Sequence, residues 1–396
     1  MYTSKEQLLL LACSYFNNTP SKIVLQKTET LAWKELIFSA RIHSVLPMVY
    51  DALCMAQDKE QIPQEVLMSM RELALPKIGV GMNKRVAFKK VYSSLKDRGI
   101  TPFVIKGSAL ACLYEKGDLR ISSDEDILIS ENEVEPLKKA LADLGFELLG
   151  VSENGTVYNF LNRKKMLSIE VHTTLFMKEL NDGRYASIFE DELLSTERDG
   201  FKVLDPTTEL LFLICHAAKH FALSGFGIRQ VMDILKVASV YHGEIDFELI
   251  LEKTGKIGLH IFAATLLKVG EEYFNTFKVP SCLAQYAKNT KPLLDDVLEG
   301  GVFGRSDKTR AASVRITMNA AEGNNKFPLI KALFPPFVEM VKIYPKLEKM
   351  QLLLPVYWIM RLVKWAAVQG KDSLKTLAVG RKRTKLLKRY GLGKAG

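Results

Sequence analysis

The feature that most limits the fold of this 396-residue chain is a strand-rich segment placed between two long helical stretches. Between Pro102 and Phe176, short runs of β-branched and apolar residues alternate with two helix-compatible stretches, in the order β-α-β-α-β-β-β. On both sides of this segment the apolar residues recur at helical spacing. The pattern predicts an α+β chain in which a small sheet module is flanked by N-terminal and C-terminal helical regions.

The same change of pattern predicts four regions along the chain. They are an N-terminal helical region (1–95), an α/β core (96–200), a C-terminal helical region (201–370) and a basic tail (371–396). Asp205-Pro206 predicts a helix start in the third region, because Asp caps helix N-termini and proline suits the first helical turn.

The charge of the chain is concentrated in its tail. The formal net charge is +10, and residues 371–396 hold nine Lys or Arg residues against one Asp, so the rest of the chain is nearly neutral. A surplus of this size predicts an anionic partner such as a nucleotide, a nucleic acid or a membrane. The tail itself is expected either to form a basic amphipathic helix, with weak contact to a membrane surface or nucleic acid, or to be solvated and disordered.

Cysteine usage and hydropathy predict a soluble, cytoplasmic protein. The five cysteines are dispersed and include no C-x-x-C pair, which is typical of reduced thiols. The N-terminal apolar run follows Glu6 and lacks the positive segment of a signal peptide. The most apolar late segment is interrupted by Pro355, Arg361 and Lys364, which disfavours a membrane span.

Gly107 and Ser108 occupy a predicted strand-to-helix turn, directly after Lys106. Glycine allows close approach of a ligand to the backbone, and the start of a helix presents free N–H groups to a phosphate. The Ser108 hydroxyl offers a further hydrogen bond. A plain turn is the alternative interpretation of this dipeptide.

Three acidic residues follow the turn. Asp124 and Asp126 are separated by one residue at the start of a strand, so their carboxylates share one face while Glu125 points to the other. Neighbouring carboxylates repel unless a cation lies between them, which suits Mg²⁺. An acidic loop is the alternative, but Glu170, an acid within an apolar strand, favours a metal site.

The stretch KGSALACLYEKGDLRISSDEDILI resembles the signature of the nucleotidyltransferase superfamily that includes DNA polymerase beta and the aminoglycoside nucleotidyltransferases. More narrowly, it is similar to a bacterial group of uncharacterised nucleotidyltransferases. The elements that match that group are Lys106-Gly107, Tyr114, Arg120, Asp124, Asp126, Leu128, Glu170, His172, His216, His220, Arg229 and Asp233. Two residues depart from the family pattern: Glu125 replaces an apolar residue, and Glu170 replaces the usual third aspartate.

The resemblance implies a small mixed-sheet nucleotidyltransferase core and transfer of a nucleoside monophosphate from an NTP, most simply ATP, to an unidentified acceptor. A sugar, a small molecule, a peptide or a protein remains open as that acceptor. With the residue patterns above, it predicts Asp124, Asp126 and Glu170 as catalytic residues and as ligands of Mg²⁺, or of Mn²⁺. The predicted nucleotide-binding residues are Lys106, Gly107, Ser108, Arg120, His172, His216, Lys219, His220 and Arg229.

Structural roles remain open for several of these side chains. Arg120 is also expected in a structural ion pair, Lys106 in solvent, His172 as a structural histidine, and His216 and His220 in a polar seam between helices with Arg229 and Asp233. His216 and His220 share a helix face, but Ala217 stands where a zinc protease helix has its Glu. Two other functions compete with nucleotidyl transfer: a metal-dependent nucleotide-sugar glycosyltransferase, and an inactive nucleotide-binding or scaffold protein with the same fold.

Overall fold

The computed structural model describes most of the chain. The described residues are 3–152, 154–176, 183–223, 225–302, 333–369 and 372–392, together with the single positions 310, 313 and 317. Within them the chain is an α+β protein: a seven-stranded mixed sheet is flanked by helices on both sides of it in the sequence, as predicted.

The N-terminal region is helical. Its helices are α1 (Ser4–Asn17), α2 (Thr30–Ile42), α3 (Leu46–Cys54) and α4 (Gln64–Lys96). Thr3 and Glu6 form a reciprocal capping box at the start of α1, which satisfies free N–H groups there. The apolar faces of α1, α2 and α3 bury Leu8, Trp33 and Val49 almost completely, so these helices share one core.

The central segment has the predicted alternation of strands and helices. Its elements are β1 (Phe103–Val104), α5 (Ser108–Ala111), β2 (Glu125–Leu128), α6 (Val134–Asp143), β3 (Glu147–Val151), β4 (Val157–Asn162) and β5 (Leu167–His172). After the short helix α7 (Arg184–Ser187), two more strands follow, β6 (Ser195–Arg198) and β7 (Phe201–Leu204). The sheet order is β3-β4-β5-β2-β1-β7-β6.

Register within the sheet positions the acidic residues. Strands β2 and β5 are parallel neighbours, and Asp126 lies opposite Glu170. Strand β1 runs antiparallel to β2, which places the loop after β1 at the edge where β2 begins. This pairing brings the Gly107 turn and the acids together.

The β6–β7 hairpin corrects the sequence analysis, which predicted only helices after Phe176. Strand β6 is four residues long and largely polar and exposed, so it lacks the apolar alternation that reveals a half-buried strand. Its turn consists of Asp199 and Gly200, both with positive φ. The predicted boundary at residue 200 therefore passes through a hairpin of the sheet.

The C-terminal region is helical, as expected. It contains α8 (Pro206–Leu223), α9 (Ile228–Val240), α10 (Phe247–Lys256), α11 (His260–Tyr273), α12 (Ser281–Ala284), α13 (Lys291–Gly300), α14 (Phe337–Ile343) and α15 (Leu354–Gln369), and the tail adds α16 (Asp372–Arg389). The Asp205 carboxylate accepts hydrogen bonds from the N–H groups of Thr207 and Thr208, which confirms the predicted start of α8. None of the described helices is both long enough and apolar enough to cross a membrane.

The basic tail forms helix α16, and the alternative of a solvated, disordered tail is wrong for residues 372–392. Leu387 and Tyr390 are fully buried against the C-terminal helices. Arg383 is buried as well, and donates hydrogen bonds to the carbonyl oxygens of Phe221 and Leu223 at the end of α8. The exposed basic residues of α16 are Lys375, Arg381, Lys382, Lys385, Lys388 and Arg389.

Candidate functional site

The turn after β1 is built around Gly107 and Glu125. Gly107 has φ +59° and ψ −121°, and a Cβ placed there would lie 2.1 Å from the Glu125 Oε2 atom. The backbone N–H and the hydroxyl of Ser108 donate to the Glu125 carboxylate at 2.7 and 2.8 Å. Burial raises the pKa of Glu125 to about 7, although these two bonds favour its charged form. Ser108 is thus buried and engaged within the protein.

Asp126, Glu170 and His172 form a compact donor cluster. Asp126 and Glu170 are in register on adjacent parallel strands, and His172 follows on the same face of β5. The His172 Nε2 atom lies 3.3 Å from the Asp126 Oδ1 atom and 3.3 Å from the Glu170 Oε1 atom. One potential ligand atom from each residue falls within 4.8 Å of the other two.

Lys106 supplies the nearest positive charge to this cluster. Its Nζ atom is 2.8 Å from the Asp126 Oδ1 atom. Burial alone raises the pKa of Asp126, but the Lys106 ammonium and His172 outweigh it and hold that pKa well below its usual range. Burial, with repulsion from Asp126, raises the pKa of Glu170. The two acids therefore differ in basicity although they face each other.

Asp124 lies just before β2 and lines the same cleft, but it is outside the three-donor cluster. Its Oδ1 atom accepts a hydrogen bond of 2.9 Å from the Ser123 hydroxyl. Asp124 is more accessible than the buried Asp126.

Arg120 contacts the Gly107 turn through a buried hydrogen-bond network. Its Nε and Nη2 atoms donate to both oxygens of Asp233 on α9 at 2.7 and 2.8 Å, and its Nη1 atom donates to the Gly107 carbonyl at 2.9 Å. The Tyr114 hydroxyl donates to the same Asp233 at 2.9 Å. This buried network connects the turn to α9, so Arg120 has the structural ion pair that sequence analysis gave as one of its two roles.

Helix α8 forms the opposite wall and presents His216, Lys219 and His220. The two histidine Nε2 atoms are 3.0 Å apart. Burial, together with Lys219 and Lys106, lowers the pKa of His220 to about 3, and burial with the same cations lowers that of His216 well below its usual range. Both imidazoles are neutral at pH 7.

These walls enclose a cleft of about 310 Å³, a volume within the range of small-ligand sites. Every predicted site residue except Ser108 lines it: Lys106, Gly107, Arg120, Asp124, Asp126, Glu170, His172, His216, Lys219, His220 and Arg229. Arg229 reaches it from α9 and donates to the Ile121 carbonyl at 2.5 Å.

Sequence analysis missed the aromatic part of the lining. Phe212 and Phe176 both line the cleft, with ring centroids 5.7 Å apart. The Lys106 Nζ atom lies 5.9 Å from the centre of the Phe212 ring. Phe212 precedes His216 by four residues on α8, and this i, i+4 spacing was the available signal.

Comparison with known proteins gives one result. No curated protein and no solved structure matches the chain, whereas a family model described as "Uncharacterised nucleotidyltransferase" matches residues 29–275. The match spans more than half of the chain and includes every residue that lines the cleft except Val302. The chain therefore belongs to the uncharacterised nucleotidyltransferase family.

Proposed function

We propose that the protein is an Mg²⁺-dependent nucleotidyltransferase that uses an NTP, ATP first among them. An oxygen of a hydroxyl-bearing acceptor forms a bond to the α-phosphorus, the bond from that phosphorus to the β-phosphate oxygen breaks, and pyrophosphate leaves. The observation that carries the proposal is the in-register pair of Asp126 and Glu170 in a cleft lined by cations.

The donor chemistry of the cleft fits a divalent metal ion. Carboxylate oxygens are the ligands that Mg²⁺ prefers, and Asp126 remains ionised at neutral pH. Asp124, Asp126 and Glu170 would hold the ion, and His172 would orient both carboxylates that it contacts. When bound, Mg²⁺ neutralises phosphate charge and stabilises the leaving pyrophosphate.

The remaining side chains of the cleft have separate roles in the proposal. Lys106, Lys219 and Arg229 bind the triphosphate as cations, and Gly107 allows the backbone to approach it closely. Glu170 accepts the proton of the acceptor hydroxyl, because burial and repulsion from Asp126 raise its pKa. The neutral histidines of α8 add hydrogen-bonding capacity without repelling Lys219.

Ligand-dependent melting tests this function against the glycosyltransferase alternative. ATP with Mg²⁺ is expected to raise the melting temperature of the wild-type protein but not of Asp126→Asn, since bound ligand stabilises the folded state. Asp143→Asn is a matched control, because Asp143 is exposed on α6 and pairs with Arg98. A shift with UDP-glucose and Mn²⁺ alone would contradict the proposal.

A further inference from the structure

A second concavity, of about 420 Å³, adjoins the cleft. The two share Ser122, Ser123, Arg229 and Val302, so they adjoin each other at the segment that leads into Asp124. We call this concavity the cationic groove and define it by Arg41, Lys77, Lys84, Ser122, Ser123 and Arg229.

The charge of the cationic groove has one sign. Four basic residues line it, and among the residues that the structure describes no Asp or Glu does so. In the same described part of the chain, none of these four cations has a carboxylate within ion-pair distance. Uncompensated cations around a concave surface attract an anion.

Helix α4 holds two of these cations against the segment that leads into Asp124. Lys77 and Lys84 are seven residues apart and therefore share one helix face. Gly81 lies between them, and a Cβ there would be 3.8 Å from the Ile121 side chain, so the helix runs close to that segment. The Lys84 Nζ atom donates to the Ser123 carbonyl at 3.0 Å, one residue before Asp124.

Arg229 connects the cationic groove to the cleft. It lines both, and its Nη1 atom donates to the Ile121 carbonyl. Its Nε atom is buried and has no hydrogen-bond partner in the described part of the protein. A buried donor without a partner is costly, and a bound anion oxygen satisfies such a donor.

We propose that the cationic groove binds the phosphate of a small, hydroxyl-bearing phosphomonoester, which is the acceptor of the reaction. The inference rests on the proposed function and adds the substrate class. The cleft already provides a small-ligand volume with its own cations, Lys106 and Lys219, besides the shared Arg229, so the groove offers space for a second molecule. The groove adjoins the cleft at Ser122 and Ser123, next to Asp124, so a molecule held there by its phosphate lies beside the acidic residues.

A calorimetric titration separates this from binding of the NTP's own phosphates. The protein is saturated with Mg²⁺ and α,β-methylene-ATP, and the probe is inorganic phosphate, the group that the groove is proposed to hold. The wild type is expected to bind it, and Lys77→Gln with Lys84→Gln to bind it at least about tenfold more weakly, because two charge-assisted contacts are lost. Lys90→Gln with Lys96→Gln, the same charge change at exposed positions of α4, is expected to bind like the wild type. Arg41→Gln, at an exposed position, repeats the test independently of Lys84.

Loss of phosphate binding once the analogue is bound would assign the groove to the NTP and overturn the inference. Equal binding by all variants would overturn it too. If the analogue itself does not bind, the proposed function fails first and the inference fails with it.

An acceptor assay gives the second readout. Cell extract is treated with alkaline phosphatase, freed of it, and then incubated with the enzyme and ATP labelled in the α-phosphate. Labelled product is expected from untreated extract only, and the Lys77→Gln, Lys84→Gln enzyme is expected to show a raised acceptor KM at an unchanged KM for ATP. Equal labelling of treated and untreated extract would overturn the inference while supporting the proposed function, and no labelling of either would refute the proposed function.

Discussion

Gly107 is the position where local geometry limits substitution most sharply. Its φ of +59° and ψ of −121° belong to a region that residues with a side chain rarely adopt. The space that a Cβ would need is filled by the Glu125 carboxylate, which Ser108 holds in place. The turn is therefore specified by three residues that fit together.

Gly107→Ala is expected to lower the free energy of unfolding by about 2–3 kcal/mol or more, through backbone strain and displacement of the buried Glu125 carboxylate. Nucleotidyl transfer should fall with it, because the turn adjoins Asp126. Gly79→Ala on α4 is the control: nothing lies within 4 Å of its Cβ position, so we expect a change of about 1 kcal/mol in the stabilising direction. Chemical denaturation of both variants measures this, and equal effects would contradict the interpretation of the turn.

The acidic cluster shows what could be predicted at the residue scale and what could not. The alternation of side chains along β2 and β5 indicates, from sequence alone, which face of its own strand Asp126 or Glu170 occupies. Glu125 accepts from both donors of Ser108 only because β2 packs beside α5. Ser108 and Glu125 themselves lie 17 residues apart in the chain. Sequence patterns contain no information on that contact, so Ser108 was expected in the phosphate site.

At the scale of elements, His43 fastens the α2–α3 junction to the C-terminal helices. Its Nδ1 atom accepts from the Ile228 N–H at the start of α9, and its Nε2 atom contacts the Leu298 carbonyl on α13 at 3.3 Å. The ring is fully buried, and burial lowers the pKa of His43 to about 4. The contact with the Ile228 N–H also needs Nδ1 without a proton.

This shift predicts acid sensitivity. The folded-state pKa lies below the unfolded value of 6.5, so the contribution of His43 is present above pH 6.5 and is lost as the pH falls toward 4, by up to about 3 kcal/mol. The free energy of unfolding of His43→Asn should fall less steeply over that pH range than that of the wild type. Denaturation curves of both proteins at pH 4.5, 5.5, 6.5 and 7.5, on the order of one pH unit apart, measure this difference. An identical dependence of the free energy of unfolding on pH in the two proteins would contradict the prediction.

Helix α16 caps the end of α8. The Arg383 guanidinium donates to two carbonyls at the C-terminus of α8, where a positive charge is favourable, and its Nε atom lies 3.7 Å from the Asp296 carboxylate. Helix α8 also carries His216 and His220, so the tail supports an element of the cleft. The sequence pattern left both a basic helix and a disordered tail open, and it did not indicate that an apolar face of the tail is buried within the same chain.

Arg383→Met is expected to lower the free energy of unfolding by about 1–3 kcal/mol, since buried carbonyls lose charge-assisted donors. Lys385→Met, at an exposed position of the same helix, should change it by less than about 0.5 kcal/mol. Denaturant unfolding compares the two. Deletion of residues 371–396 should likewise destabilise the protein, whereas unchanged stability of the truncated chain would refute the docking of α16.

For the whole molecule, the predicted regions share cores. One apolar core includes Leu8 of α1, Leu110 of α5, Phe221 of α8 and Leu387 of α16. A second core packs Phe88 of α4 against the sheet. Helical flanks and the central module are thus joined by packing, and the walls of both cleft and cationic groove come from separate stretches of sequence.

Because the walls of the cleft and the groove come from separate stretches of sequence, only part of the whole fold could be predicted. The alternation of strands and helices, the cluster of acids and the family could be predicted, because each follows from local periodicity or a contiguous motif. The hairpin β6–β7 lacks such periodicity, and the cationic groove gathers Arg41, Lys77, Lys84 and Arg229 from three distant helices or their ends. Only tertiary packing brings those cations together.

We propose that the protein transfers a nucleoside monophosphate in this cleft. The most direct measurement incubates the enzyme, Mg²⁺ and cell extract with ATP labelled either in the α-phosphate or in the γ-phosphate. We expect that the α-label enters a new product, that the γ-label appears in pyrophosphate, and that Asp126→Asn slows both on the order of 10³-fold. Transfer of the γ-label to the product, or equal transfer by Asp126→Asn, would contradict it.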